Sequence, residues 1–407
     1  MTAIRESTAA RRDDVEVVVV GGGPAGAAIA ARLAAAGRDV TIFERSPAWR
    51  WRACGVFSSP ATMTELRDLD LADANLQTVA RPIPRMWIEA PHAAPFALTY
   101  GDAGRGPTAV GFDRSRLDPL LLERAVAAGA RVCRGTTVIG LDQAADGRWL
   151  VCVRDAAGVR ELGARIVVGA DGVRSKVARL VGAARTPQLT RIGLTYHVPD
   201  GRLNSDGAEM DGRMVVLNGA YCGLAPVPGG RINVGIVVAS RELRSRLVSK
   251  GARDTAAAIL RRAGGTAATP LDHVEGIAPI AQRVTRRAGR GWLLVGDAAG
   301  FIDPFTGEGL HRALVSARLG AQAVERELRG RPALADYDAS MRRRFLAKDL
   351  LSWLVQLFLA RPGLFDYAAR RAADRPAVRA RIGLLMGDLA PASGAFDPRF
   401  MAALLAP

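Results

Sequence analysis

The chain has 407 residues, 49% of them hydrophobic, a length that suits two connected domains rather than one small core. Its formal net charge is +16, yet the basic residues are dispersed and aromatics make up only 5%, which argues against nucleic acid as a partner. No apolar run reaches the roughly 18–20 residues of a membrane span, and the opening stretch MTAIRESTAARRDD lacks the apolar core of a secretory signal.

Among 56 basic residues only Lys176, Lys250 and Lys348 are lysines. One reading is the arginine usage of a GC-rich genome. The other is attraction to an anion: a phosphate-bearing cofactor, an acidic carrier protein or an anionic membrane surface. Cys54, Cys133, Cys152 and Cys222 are scattered without a CxxC pair, so neither a metal site nor a disulfide framework is expected, and a reducing cytoplasm is the default location.

The first element is a β-branched run, Val15 to Val20, fit for a buried parallel strand. Gly21, Gly23 and Gly26 follow with G-x-G-x-x-G spacing. Pro24 and Ala25 open a helix that runs to about Ala36 and ends at Gly37. Gly21 permits the tight turn, Gly23 lets the backbone approach a pyrophosphate, and Gly26 lets the helix press on the sheet. A second strand, Asp39 to Phe43, delivers Glu44, a ribose acceptor, with Arg45 beside it.

After this unit comes RACGVFSSP, Arg52 to Pro60, with its lone Cys54. The segment PIPRMWIEAPHAAPFALTY is expected to lend strands to a second domain. In VGFDRSRLDPLLLERAVAAGARV an arginine-bearing turn of Asp113, Arg114 and Arg116 caps a helix, and Arg116 is the residue expected to reach a pyrophosphate. ARIVVGADGVRSKVARLVG ends a strand at Asp171-Gly172 before a basic helix. From Thr186 to about Pro279 the pattern turns to strands, two of them joined by a Pro-Gly-Gly turn, with one or two helices in ELRSRLVSKGARDTAAAILRRAGG.

The decisive later stretch is GRGWLLVGDAAGFIDPFTGEGLHRAL. A short strand, Trp292 to Val295, ends in Gly296-Asp297. A loop bearing Pro304 and Gly307 then leads to a helix that begins near Gly309 and Leu310. An aspartate closing a strand among small residues suits a ribityl chain, and helix-terminal N–H groups suit the electron-rich edge of a flavin. NAD needs no such second loop, so FAD is the predicted cofactor. The tail from Asp336 reads as helical, and FLAKDLLSWLVQLFLARP admits three roles: packing on the cofactor domain, walling an apolar substrate tunnel, or contacting a membrane surface or a second copy. Of the few histidines, His311, just past the flavin loop, is a candidate catalytic group beside the alternative of packing; His92, His197 and His273 carry no motif.

Together these segments resemble the flavoprotein superfamily of the aromatic hydroxylases and geranylgeranyl reductases. The resemblance rests on Gly21/Gly23/Gly26 with Glu44, on Asp171-Gly172, and on Gly296-Asp297 with Pro304, Gly307 and Gly309, and covers roughly residues 15 to 345. It implies an α/β architecture of the p-hydroxybenzoate hydroxylase-like fold: a Rossmann-like FAD-binding domain with a parallel sheet, and an α+β second domain with an antiparallel sheet. The expected boundaries are 15–80, 105–185 and 280–335 for the discontinuous FAD domain, 81–104 and 186–279 for the substrate domain, and 336–407 for a C-terminal helical segment.

GDAAGFIDPFTGEGL and WRACGVFSSPATMTELRDLDL look more like the geranylgeranyl reductase branch, and GAYCGLAPVPGGRINVGI is similar to that branch's Tyr-x-Trp-x-x-Pro segment. Val56 replaces a second glycine and Gly223-Leu224 stand where the tryptophan falls, so lipid specificity does not carry over. The expected activity is an FAD-dependent oxidoreductase acting on an apolar or aromatic small molecule, free or carrier-bound, by C=C reduction or by oxygen transfer. NAD(P)H serves as a transient electron donor near the flavin, or another protein supplies the electrons; a non-catalytic flavin-binding protein is the rival of another class. In this setting Arg52 is expected on the pyrophosphate or flavin edge, and Gly55 allows close approach to the ring. Cys54 is a packing residue, a proton donor or substrate contact, or a covalent flavin attachment.

Overall fold

The computed structural model describes residues 14–100, 106–201, 211–239, 241–265 and 269–405; the polar lead-in read at the start lies outside them except for Asp14. Val15–Val20 is buried at all but Glu16 and lies inside an eight-stranded sheet. The order across that sheet is Ala288–Gly289, Trp292–Leu294, Gly158–Gly169, Val15–Val20, Val40–Glu44, Arg131–Arg134. All but the first pairing are parallel, as the continuous β-branched run demands. Thr137–Gln143 and Trp149–Asp155 hang from the first half of the long strand as an antiparallel extension.

Register decides where the chemistry can sit. Val20 lies opposite both Phe43 and Gly169, and Gly169 lies opposite Leu294. Four strands therefore finish level, and the loops after Val20, Glu44, Gly169 and Leu294 converge at one edge, the C-terminal edge of a parallel sheet where ligands bind. The alanine-rich helix Pro24–Ala35 and the helix Gly309–Leu328 pack against each other on this sheet, with Ile29, Leu33, Val295 and Leu314 in one core.

The second sheet has seven strands in the order Glu275–Ile277, Ile192–Pro199, Arg231–Val238, Ala220–Val227, Gly212–Leu217, Arg85–Glu89, Phe96–Thr99. Neighbours are antiparallel except Gly212–Leu217 with Arg85–Glu89. Gly229 and Gly230, both at positive φ, turn the Pro-Gly-Gly corner as read from the sequence. A helix assigned over Arg241–Arg262 covers one face and is interrupted at Gly251, whose φ of 80° no helix allows, so it is two helices across a kink. A three-stranded sheet of Phe57–Ser58, Ala109–Phe112 and Ala80–Ile83 joins the two bodies, and Arg231 reaches across to Asp113 at 2.7 Å.

The tail forms four helices, Leu334–Leu359, Pro362–Asp374, Pro376–Met386 and Pro398–Leu405. Leu334, Tyr337, Met341 and Phe345 of the first belong to the core of the large sheet, and the Tyr337 hydroxyl donates to the Leu294 carbonyl at 2.7 Å. Pro362 stops that helix and also starts the next, where its missing N–H costs nothing. The helix Pro376–Met386 lies flat on the strand Phe96–Thr99: a Cβ on Gly383 would stand 1.9 Å from the Thr99 carbonyl oxygen. Among the described residues no helix is long and apolar enough to cross a membrane.

Candidate active site

The loop after Val20 is shaped by contacts that only glycine permits. Gly21 has a φ of +104°, and a Cβ there would sit 2.5 Å from the Ala170 carbonyl oxygen; one on Gly26 would sit 1.9 Å from the Gly21 carbonyl oxygen. A Cβ on Gly23 would instead meet nothing within 4 Å, and no side chain caps the helix that starts at Pro24. The uncapped N–H groups thus face open space, the arrangement that takes a pyrophosphate.

Glu44 is buried, and its carboxylate takes three hydrogen bonds from the protein, one of them on Oε2. Its Oε2 accepts from the Gly22 N–H at 2.9 Å, and its Oε1 accepts from the Ser46 N–H and from Arg52, each at 2.9 Å. Burial pushes this carboxyl up, but the two backbone donors and Arg52 outweigh it and hold Glu44 below the ordinary carboxylate value.

Across the cleft, Gly296–Ala299 forms a 3₁₀ turn directly after the strand Trp292–Leu294. Among the described residues no hydrogen-bond donor reaches the Asp297 carboxylate. Burial pushes it up to about 6 against the pull of Arg114 and Arg312. A desolvated acid without a protein partner at the rim of a cleft fits a ligand hydroxyl. Three features fit FAD: the Gly21–Gly26 turn would take the pyrophosphate, Glu44 the ribose and Asp297 the ribityl chain.

Arg114 holds the loop between these ends. Its Nε and Nη2 bind Asp118 at 2.7 and 3.0 Å, and its Nη1 donates to the Gly55 carbonyl at 2.9 Å. Cys54 lies within the fields of Arg114, Asp118, Arg52 and Asp297; burial pushes its thiol up to about 11, so it is neutral near pH 7. Farther on, the loop Asp303 to Gly307 is tied to the second sheet. Asp303 accepts from Tyr221 at 2.5 Å and from Arg191 at 2.9 Å, and Arg191 also donates to Gln356 of the Leu334–Leu359 helix. Burial pushes the Tyr221 phenol well above its ordinary value.

Several expectations need correction. Arg116 is exposed and its Nη1 donates to the Thr78 carbonyl, whereas Arg114, two residues earlier, donates to the Gly55 carbonyl. Arg52 donates to Glu44 at 2.9 Å and to the Ser46 hydroxyl at 2.6 Å. The Asp171 carboxylate is consumed by Ser175, Lys176 and Val177 and caps the short helix Lys176–Leu180; only its backbone lies against Gly21. Arg45 is exposed beside buried Glu44. His311 is buried, with Nε2 3.3 Å from Arg344 and Nδ1 without a partner, and burial lowers its pKa. It lies beside Arg344 of the helix Leu334–Leu359. Ala25, Gly296, Pro304, Gly307, Gly309 and Leu310 all lie on the convergent loops or the helix starts beside them.

An apolar pocket of 160 Å³, termed the tunnel, lies among the Asp303–Gly307 loop, the second sheet and the tail helices. Phe57, Phe305 and Thr306 line its inner end, Met86, Ile88 and Leu98 one wall, and Leu351, Val355 and Phe358 the other. The tail helix therefore packs on the cofactor body with its first half and walls the tunnel with its second. The second sheet forms one wall of this pocket, and the tail helices form another. Sequence reasoning also missed Arg114–Asp118, though a four-residue arginine–aspartate spacing in the first helical turns was there to be read. The Asp303–Tyr221–Arg191 set had no such signal, because its members come from three distant segments.

This fold and cleft define a flavin-dependent oxidoreductase, and the chain belongs to the FAD binding domain family, whose model matches residues 14–350. It is 31% identical over 323 residues to digeranylgeranylglycerophospholipid reductase 1 of Methanopyrus kandleri, covering 77% of this chain and 81% of that one. It is 27% identical over 321 residues to the menaquinone reductase of Mycolicibacterium smegmatis, covering 74% of each. Its fold matches the crystal structure of a geranylgeranyl bacteriochlorophyll reductase-like protein from Thermoplasma acidophilum with a TM-score of 0.79 at 23% identity, over 96% of this chain and 98% of that one.

Proposed function

We propose that the protein reduces a carbon–carbon double bond in a prenyl-type apolar substrate that enters through the tunnel. The tunnel lining carries the reading: apart from Thr306 and Tyr100 it presents only hydrocarbon, aromatic and thioether groups. A polyhydroxylated aromatic would bury hydroxyls there without partners, at about 1–3 kcal/mol each, whereas a prenyl chain loses nothing. The named activities of the Methanopyrus and Mycolicibacterium relatives, reduction of a geranylgeranyl lipid and of menaquinone, support the same class.

When bound and reduced by a nicotinamide donor, FAD would supply the hydride. The chain's own groups do the rest. The Gly21–Gly26 turn and Glu44 fix the dinucleotide, Asp297 orients the ribityl chain, and the Asp303–Tyr221 contact holds the loop at the inner end of the tunnel. Reduction also needs a proton, and the Cys54 thiol, neutral near pH 7 and next to the Gly55 carbonyl that Arg114 holds, is our candidate to carry one. At 160 Å³ the tunnel has room for about one aromatic ring, so a long chain enters only as the tail helices part. The four free thiols fit a cytoplasmic setting.

The test is anaerobic turnover of NADPH-reduced protein with a menaquinone and with a geranylgeranyl lipid, read by mass spectrometry. Addition of two hydrogens supports the proposal. Loss of all activity without oxygen, with one oxygen atom added in air, identifies a hydroxylase instead.

A further inference from the structure

The Leu334–Leu359 helix has a face that neither the core nor the tunnel uses. Leu346, Leu350, Trp353 and Leu357 are 58, 48, 39 and 43% exposed, although their spacing of three and four residues is that of a buried stripe. Single exposed leucines are ordinary; four in register along three turns of one helix are not. Arg343 precedes the stripe on the same helix, and Arg361 follows just past the helix end; both are exposed. The nearest acid, Asp349, is neutralised by Arg312. The neighbouring face of the same helix, Leu351, Val355 and Phe358, walls the tunnel.

We propose that this face lies on an anionic membrane surface, with the leucines and Trp353 in the acyl–headgroup boundary and Arg343 and Arg361 on lipid phosphates. Charge selects this occupant. A second copy would bring another protein of net charge +16, with the same arginines, against the patch, whereas an anionic bilayer complements both the stripe and the field. The tryptophan suits the interfacial depth. Docking here sets the tunnel wall parallel to the bilayer, so that a lipid can pass from membrane to tunnel by crossing one helix. The proposal does not depend on the chemistry performed inside the tunnel, because docking can be measured without turnover.

The test is co-sedimentation of the FAD-loaded protein with vesicles of equal parts phosphatidylglycerol and phosphatidylcholine, and with vesicles of phosphatidylcholine alone. Binding to the anionic vesicles, weakened by high salt, is expected, with little binding to the neutral ones. The double variant Leu350→Ser/Trp353→Ser should lose binding by roughly tenfold or more while keeping its FAD spectrum and melting temperature, since both side chains are exposed. Arg343→Glu provides a second variant that removes charge and leaves the stripe intact, and it too should weaken binding. The proposal is overturned if the wild type stays in solution with anionic vesicles or if the variants bind as it does. It is equally overturned if light scattering shows a lipid-free dimer that the double variant dissociates.

Discussion

Arg114 donates to the carbonyl oxygen of Gly55 at 2.9 Å across 59 residues of sequence, anchoring the loop that carries Cys54 to the first turn of the helix Arg114–Ala127. The same guanidinium grips Asp118 through two nitrogens. Arg114→Met therefore leaves a largely buried carboxylate without its partner. Urea unfolding should show a loss of about 3–5 kcal/mol, and Arg114→Met/Asp118→Leu should recover much of it. A single variant as stable as wild type contradicts this account.

Glu44 is held below its ordinary value of 4.5, so its carboxylate stabilises the fold above that pH and the contribution is lost as pH falls through the lower folded value. Acid titration of the apo protein should show this loss below about pH 4.5. Glu44→Gln should flatten that part of the profile and weaken FAD binding by roughly tenfold to a hundredfold, the worth of a charged hydrogen bond. Fluorescence titration with FAD gives the second number.

Asp297 behaves in the opposite sense. Its folded value, about 6, lies above the ordinary 3.8, so the group favours the fold at low pH and that contribution is lost as pH rises between the two. Asp297→Asn should make the apo protein more stable near neutral pH by about 1–3 kcal/mol, while weakening its hold on FAD. Calorimetry of both apo forms at two pH values checks the sign.

The Cys54 thiol, pushed up to about 11 from 9.0, should alkylate about a hundredfold more slowly than an unperturbed cysteine. Mass spectrometry of the native protein after timed exposure to iodoacetamide measures this. Cys54→Ala should keep FAD and lower turnover. Unchanged turnover would assign the cysteine to packing alone.

Ala369→Trp places an indole in the tunnel without touching a cofactor contact. Overpacking should cost about 1–3 kcal/mol, and substrate turnover should collapse while reduction by NADPH is retained. Stopped-flow absorbance separates the two half-reactions.

The cofactor half was legible because its signals are local. Val15 to Glu44 contains a strand, a glycine turn, a helix and an acid in fixed succession, each demanded by the geometry of the next. What escaped was set by side-chain direction and distant pairing. Arg114 and Arg116 are equivalent as letters, yet a helix turns them some 200° apart, and only one meets Gly55. Asp171 looked like a ligand contact but spends both oxygens on a helix start. The tunnel could not be read at all: Phe57, Met86 and Phe358 share no period, and only the folding of the tail across the second sheet brings them together.

The bare contact between Gly383 and the Thr99 carbonyl has a consequence for the chain as a polymer. Among the described residues, Phe96–Thr99 is the last strand of its sheet, with no strand paired on its outer side. The helix Pro376–Met386 presses close enough there to deny the space to any other backbone. An uncovered strand edge is a template for another chain. The tail helix thus covers this edge at Thr99, and a protein clipped before residue 376 is expected to expose it.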